Sequence, residues 1–183
     1  FICSGEKSTS CMKTLFFSSY FAPYISGLTV YAQQILSQLA QNHQVKVLTF
    51  AHEASLPRFQ KKGQIEITRM PYLIRVFKGF ISLRSIYFFV KETLASDVVI
   101  ITLPNVEALA LAALAKVFNK KLVVIFHCQV IFEQGFFRKL ASFLVKISVR
   151  FQLLLADRIV GYTDDYLQSL DWPQALIKKT KLI

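Results

Sequence analysis

The chain has 183 residues, 54% hydrophobic and 18% charged, which excludes intrinsic disorder and leaves ample apolar material for one packed domain. Six glycines and five prolines exclude collagen-like and low-complexity classes. Lys and Arg number 22 against 11 Asp and Glu, a net charge of +11 that favours anionic partners such as nucleic acid, phospholipid or phosphorylated substrates.

Residues 1–11, FICSGEKSTSC, are polar and patternless and read as a non-native or disordered leader. Met12, followed by Lys13 and an apolar run, reads as the natural start of a domain over residues 12–183. Gly5-Glu6-Lys7-Ser8 only echoes a P-loop, because the earlier glycine, the preceding strand and the GK pair are missing. Cys3, Cys11 and Cys128 suggest no framework of pairs, so a reducing compartment is expected. No CxxC or His-rich spacing proposes a metal site. The longest apolar stretch, Leu140–Leu155, is interrupted by Lys146 and Arg150, so no membrane-spanning helix is expected.

In chain order, Thr14–Ser18 predicts a strand, and Tyr20–Leu28, with Pro23 and Gly27, a loop. Thr29–Gln41 sets Val30, Ile35 and Leu39 near one face and predicts a helix capped by Thr29 or Ser26. Gln44–Phe50 alternates as a strand, Ala51–Gly63 reads as a loop, and Gln64–Arg69 as a third strand. Arg75–Ala95 predicts a long helix. Asp97–Thr102 and Lys121–Phe126 are continuous apolar runs, as expected of strands buried on both faces, and Asn105–Phe118 between them is Ala/Leu-rich and helical. Gly135–Leu155 predicts a helix, Asp157–Gly161 a short strand, Thr163–Leu170 a helix capped by Thr163, and Lys178–Ile183 the opening of another strand. Alternating strands and helices predict an α/β, Rossmann-like parallel sheet with helices on both faces and right-handed crossovers. Ligands then belong at the carboxyl ends of the strands, near a switch point.

The strand-end loops are therefore where chemistry is sought. Gly27, just before a helix, either admits a ligand close to the backbone at an anion-favouring helix start or serves an ordinary turn with φ > 0. His127 directly follows strand KLVVIF and is either a donor to a phosphate or hydroxyl or a structural histidine. Cys128 beside it points elsewhere and makes no nucleophile–base pair. His43 and His52 read as surface residues. Thr163, Asp164 and Asp165 read as capping and dipole complementarity at a helix start.

Two segments are basic and aromatic. Arg69, Arg75, Lys78, Arg84 and Lys91 fall in a stretch without an acid, as do Arg138, Lys139, Lys146 and Arg150. Phe77, Phe80, Tyr87, Phe136, Phe143 and Phe151 are among the accompanying aromatics. One reading is an interfacial surface whose aromatics enter lipid while cations meet anionic head groups. The other is core helices whose cations reach outward past apolar stems. Nucleic acid ranks third, because no recognisable module for it appears.

The order of pieces resembles the amino-terminal half of a GT-B glycosyltransferase, glycosyltransferase family 4. The resemblance is carried by strand KTLFFSSY, loop FAPYISG, helix LTVYAQQILSQLAQ and strand QVKVLTF. DVVIITLP, AALAKVFNKKLVVIFHC and ADRIVGYTDDYLQSL continue it, from about Met12 to Ile183. It implies an acceptor-side Rossmann-like domain, with a carboxyl-terminal donor domain that this sequence lacks. The whole would move a sugar, with retention, from a nucleotide-sugar to a lipid-linked or polysaccharide acceptor at the membrane surface. The cofactor expectation is none, since the nucleotide-sugar is substrate, and no metal is implied.

By the resemblance, Gly27 brings its amide to the donor diphosphate, and Ser26 stands where the family has another glycine. His127 lies near the transferred sugar and is the catalytic candidate, Thr163 hydrogen-bonds acceptor, and Asp157 and Arg158 are chiefly structural. Arg75, Lys78, Arg84, Arg138, Lys139, Lys146 and Arg150 are the membrane-surface candidates. The expected location is cytoplasmic and peripheral, at the inner face of the cell membrane, and the isolated chain is expected to lack turnover. The alternative is a non-catalytic, basic membrane-docking or regulatory module on the same fold.

Overall fold

A computed structural model describes residues 11–76, 79–127, 136–161 and 173–182. Its elements run β1 (Lys13–Phe17), α1 (Gly27–Leu39), β2 (Gln44–Phe50), β3 (Phe59–Lys62), β4 (Ile65–Met70), β5 (Ile74–Val76), β6 (Gly79–Ile81) and α2 (Arg84–Leu94). They continue with β7 (Val98–Leu103), α3 (Ala108–Val117), β8 (Lys121–Phe126), α4 (Phe136–Leu155), β9 (Arg158–Gly161), α5 (Gln174–Lys179) and β10 (Thr180–Leu182).

Eight strands form one sheet in the order β10-β9-β8-β7-β1-β2-β4-β3, parallel except for the β3–β4 pair. The chain starts in the middle at β1, steps outward through β2 to β4, then returns to the other side of β1 at β7. Right-handed crossovers in opposite directions put their helices on opposite faces. Accordingly α1 packs on one face with Phe16, Val45, Val47, Ile67, Ile100 and Ile125. Helices α2, α3 and α4 pack on the other, over Leu15, Phe17, Leu48, Val99, Ile101, Leu122 and Val124. The period of two within each strand divides the core this way. In β7, Val99–Leu103 are all buried, as its unbroken apolar run requires.

Three sequence expectations are corrected. The expected loop 51–63 contains β3, which pairs antiparallel with β4 through Gly63 and Gln64. Gly63 sits at φ +60°, the conformation such a tight hairpin turn demands. The helix expected over 75–95 begins only at Arg84, because β5 (74–76) and β6 (79–81) pair antiparallel ahead of it. Ile74, Val76 and Ile81 are β-branched, and Phe80 is buried while the next side chain, Ile81, is exposed, as alternation across a strand requires. The strand expected over 178–183 is α5 as far as Lys179 and a strand only from Thr180. The helix expected over 163–170 lies outside the described residues.

Candidate functional site

The carboxyl end of β1 is the switch point: the connection after β1 leads to one side of the sheet and that after β7 to the other. The loop after β1 (residues 18–26), the loop after β7 (104–107) and His127 after β8 all belong to this edge.

Ser26 is the N-cap of α1. Its Oγ accepts from Thr29 N at 3.2 Å, and its own N–H donates to Thr29 Oγ1 at 2.9 Å, a reciprocal capping box. The Thr29 hydroxyl also donates to Tyr24 O at 2.7 Å, fixing the loop's exit. Gly27 opens the helix without a positive φ, so the left-handed-turn explanation of this glycine is withdrawn. What distinguishes it is space: apart from its chain neighbours and the helix's own backbone, no atom lies within 4 Å of where a Cβ would stand. The amides of a helix's first turn lack intrahelical acceptors, so a bare backbone here faces outward at the positive end of the helix dipole.

His127 N–H donates to Leu103 O at 3.1 Å, which ties the end of β8 to the end of β7. Its ring lies edge-on to Tyr31 of α1, centroids 6.2 Å apart. Tyr31 is one helical turn beyond Gly27, so the α1 start and His127 share one side of the crevice. Burial lowers the His127 pKa to about 4, which leaves a neutral imidazole at physiological pH: a hydrogen-bonding group, not a cation.

The other half of the β1 loop enters an aromatic cluster. Tyr20 packs against Tyr24 (4.7 Å between centroids), Phe80 (5.1 Å) and His52 (5.8 Å). The Arg75 guanidinium lies over Tyr20 at 5.6 Å and Phe80 at 5.9 Å. Burial raises the Tyr20 pKa against the opposing pull of Arg75. Phe80 N–H donates to Glu107 Oε1, and burial raises the Glu107 pKa despite backbone donors that favour the carboxylate. His52, expected at the surface, is instead buried between Tyr20 and Tyr24.

Two buried polar residues hold these loops. Arg69, expected among the exposed basic residues, is 1% exposed. It donates to Ala22 O (2.7 Å), Gln60 Oε1 (2.8 Å) and Pro57 O (2.9 Å), and burial lowers its pKa. Gln152 of α4 donates to Asn105 O at 2.8 Å and to Ser148 Oγ at 3.0 Å, while Asn105 Oδ1 accepts from Glu107 N at 3.1 Å. Sequence reasoning missed Arg69, Glu107 and Gln152 in these roles. A polar residue inside an apolar periodicity was the available signal at Gln152, and Arg69 at the end of a strand offered none.

Of the predicted site residues, the structure brings Ser26, Gly27 and His127 to one edge. Thr163, with Asp164, Asp165 and Cys128, lies outside the described residues. Lys146 and Arg150 are exposed on α4 and Arg84 on α2; Arg75 is exposed too, with its guanidinium over aromatic rings. Lys78 and the side chains of Arg138 and Lys139 lie outside the described residues. Asp157 accepts from Leu122 N (2.7 Å) and Lys116 Nζ (2.5 Å), a structural clasp. Burial, which alone would raise its pKa, is outweighed by these donors, and the net direction is down. Among the described residues no three His, Cys, Asp or Glu side chains group as a metal site, and no helix is long and apolar enough to cross a membrane.

The family model for Glycosyltransferase Family 4 matches residues 25–171, which takes in Ser26 and α1, the loop after β7 and His127. The chain belongs to that family. Among solved structures it is similar to a sucrose-phosphate synthase from Thermosynechococcus elongatus: 11% identity, TM-score 0.56, covering 94% of this chain and 47% of that one. An α,α-trehalose 6-phosphate synthase from Burkholderia multivorans aligns at 12% identity and TM-score 0.47, covering 87% of this chain and 41% of that one. No curated protein sequence matches. The family 4 chain thus carries the Rossmann-like half of a GT-B fold and spans about half the length of the first of these structures.

Proposed function

We propose that this domain is the acceptor side of a retaining glycosyltransferase that moves a sugar from a nucleotide-sugar to a lipid-linked or polysaccharide acceptor. The work takes place at the cytoplasmic, inner face of the cell membrane, with the protein bound peripherally. The donor is gripped chiefly by a second, carboxyl-terminal domain. One observation supports this reading above the others: a family 4 match that includes an open helix start at Gly27 and a strand-end histidine linked to the same helix through Tyr31.

The chemistry follows from the groups present. Departure of a nucleoside diphosphate develops negative charge, and outward amides at Gly27 with the α1 dipole suit that charge. His127 is neutral, so it orients a sugar or acceptor hydroxyl by hydrogen bonding instead of pairing with phosphate as a cation. Thr163 hydrogen-bonds acceptor. The test is transfer of labelled sugar from a panel of nucleotide-sugars to membrane lipid and glycan acceptors by the intact protein. His127→Ala should slow transfer about 100-fold or more with the circular dichroism spectrum unchanged. Absence of transfer from every donor would sink the reading, and an unaffected His127→Ala rate would remove the histidine from it. The isolated 183-residue chain should bind acceptor without turnover, and turnover by it would refute the two-domain division of labour.

A second reading, a non-catalytic membrane-docking module, is favoured by the outer face of α4. Phe143, Leu144, Phe151 and Leu154 are about half or more exposed there, beside Lys146 and Arg150. It predicts vesicle binding by an intact protein that transfers no sugar.

A further inference from the structure

We propose that the β5–β6 hairpin and the first turns of α2 are a wedge that enters an anionic lipid bilayer. The proposal deepens the membrane-surface reading, on which it rests, by assigning the element that makes contact.

The hairpin is two-faced. Ile74 and Ile81 are register partners, as are Arg75 and Phe80. Side chains alternate across a strand pair, so these pairs point to opposite faces. The inner face is anchored: Phe80 is 1% exposed, stacks on Phe50 at 4.7 Å, and receives Arg75 over its ring. The outer face is bare: Ile74 is 58% exposed and Ile81 52%. Leu73, just before β5, has its N–H bonded to Ile81 O and is also exposed, at 68%.

Large apolar side chains are exposed on the adjoining α2 as well. Leu83, Ile86 and Tyr87 follow the i, i+3, i+4 spacing that places side chains on one helical stripe, at 73%, 48% and 66% exposed. Ser82 joins the two elements: its hydroxyl donates to Pro71 O at 2.7 Å and accepts from Ser85 N at 3.3 Å. Soluble monomers seldom display so many large apolar side chains together without a use for them.

Charge selects the occupant. Arg84 and Lys91 are exposed on α2, and no acid occurs anywhere in residues 67–91. Isoleucine, leucine and tyrosine framed by cations complement an anionic head-group layer over acyl chains. Tyr87, with an apolar ring and a polar tip, suits the boundary between them.

The experiment is flotation of the purified chain with phosphatidylcholine vesicles with and without phosphatidylglycerol. Wild type should float with the anionic vesicles. Ile74→Asp with Leu83→Asp should reduce the bound fraction at least about tenfold. Arg84→Gln and Lys91→Gln should each cost about fivefold. Val117→Asp, on a 75% exposed residue where α3 ends at the opposite edge of the sheet, should change nothing. The altered side chains are exposed, and Ile74→Ser with Leu83→Ser supplies a milder pair should the aspartates disturb folding. If wild type floats and the hairpin variants float equally, the wedge is overturned while the membrane reading stands. If wild type ignores anionic vesicles, both fall. A dimer in solution that the hairpin variants dissociate, without vesicle binding, overturns the proposal in favour of self-association.

Discussion

The loop after β1 has two halves that behave as different materials. In its first half Tyr20 packs against Tyr24, Phe80, His52 and Arg75, Phe21 and Ala22 are buried, and Arg69 holds the Ala22 carbonyl. Its second half, Ser26 and Gly27, satisfies its polar groups within four residues of chain and leaves open space over the glycine. The first half is fixed by tertiary burial and the second by local hydrogen bonding. Substitutions in the first should therefore cost stability. Substitutions in the second should cost little stability, so that a loss of activity there would report on the chemistry.

The harshest way to break this contrast is Phe80→Ala. A phenylalanine buried against Phe50, Tyr20 and Tyr72 should cost about 3–5 kcal/mol, read as a lowered urea midpoint. Phe151→Ala on α4, where the ring is 55% exposed, should stay within about 0.5 kcal/mol. Comparable losses at both positions would mean that the hairpin is not anchored as described.

Arg69→Ala comes next, at about 3 kcal/mol, because it removes a buried guanidinium with three bonds and strands the buried Ala22 carbonyl. Arg150→Ala, an exposed cation, should be nearly neutral. A stable Arg69→Ala protein would show that the first half of the loop holds itself.

These pairs also mark what was legible in the sequence. Continuous apolar runs at 97–102 and 121–126 marked the central strands nearly to the residue, because both are short and rich in β-branched residues, as strands buried on both faces are. Ser26 and Gly27 were legible because capping and helix starts are local. The two basic aromatic segments read alike from composition, yet one became a hairpin with a short helix and the other a continuous twenty-residue helix. Only the short alternation around Phe80 separates them, and a stretch that brief is easily absorbed into a helical period. Arg69 and His52 were misplaced for a related reason: their burial comes from contacts with residues distant in sequence, Ala22 for the arginine and Tyr20 and Tyr24 for the histidine.

His127 sits between the two materials, half-buried against Tyr31, and sharpens the contrast through pH. Its folded pKa of about 4 lies below the ordinary 6.5. Between these values the unfolded chain takes up a proton that the folded chain refuses. Stability should thus be fully present above about pH 6.5, fall as pH drops toward 4, and level off below. For a group still partly screened by solvent the effect is about 1–2 kcal/mol. Urea midpoints of wild type and His127→Gln across that window should converge as pH falls, since other titrating groups cancel in the difference. Parallel curves would mean the imidazole is not desolvated.

The smallest expected effect decides most about the crevice. Ser26→Ala removes the N-cap oxygen and should cost about 1 kcal/mol, whereas Ser26→Gly should cost only a few tenths. The glycine variant also clears a side chain beside Gly27, at the start of α1 where the donor diphosphate is proposed to lie. If Ser26 is purely a cap, both variants leave the KM for nucleotide-sugar unchanged in the intact protein, and only stability orders them. If the crevice admits the diphosphate against this backbone, Ser26→Gly lowers that KM or holds it, while Ser26→Ala, which keeps a Cβ and disturbs the cap, raises it. An effect on KM out of proportion to a few tenths of a kcal/mol in folding would locate the donor phosphates at the α1 start by a route that stability cannot imitate.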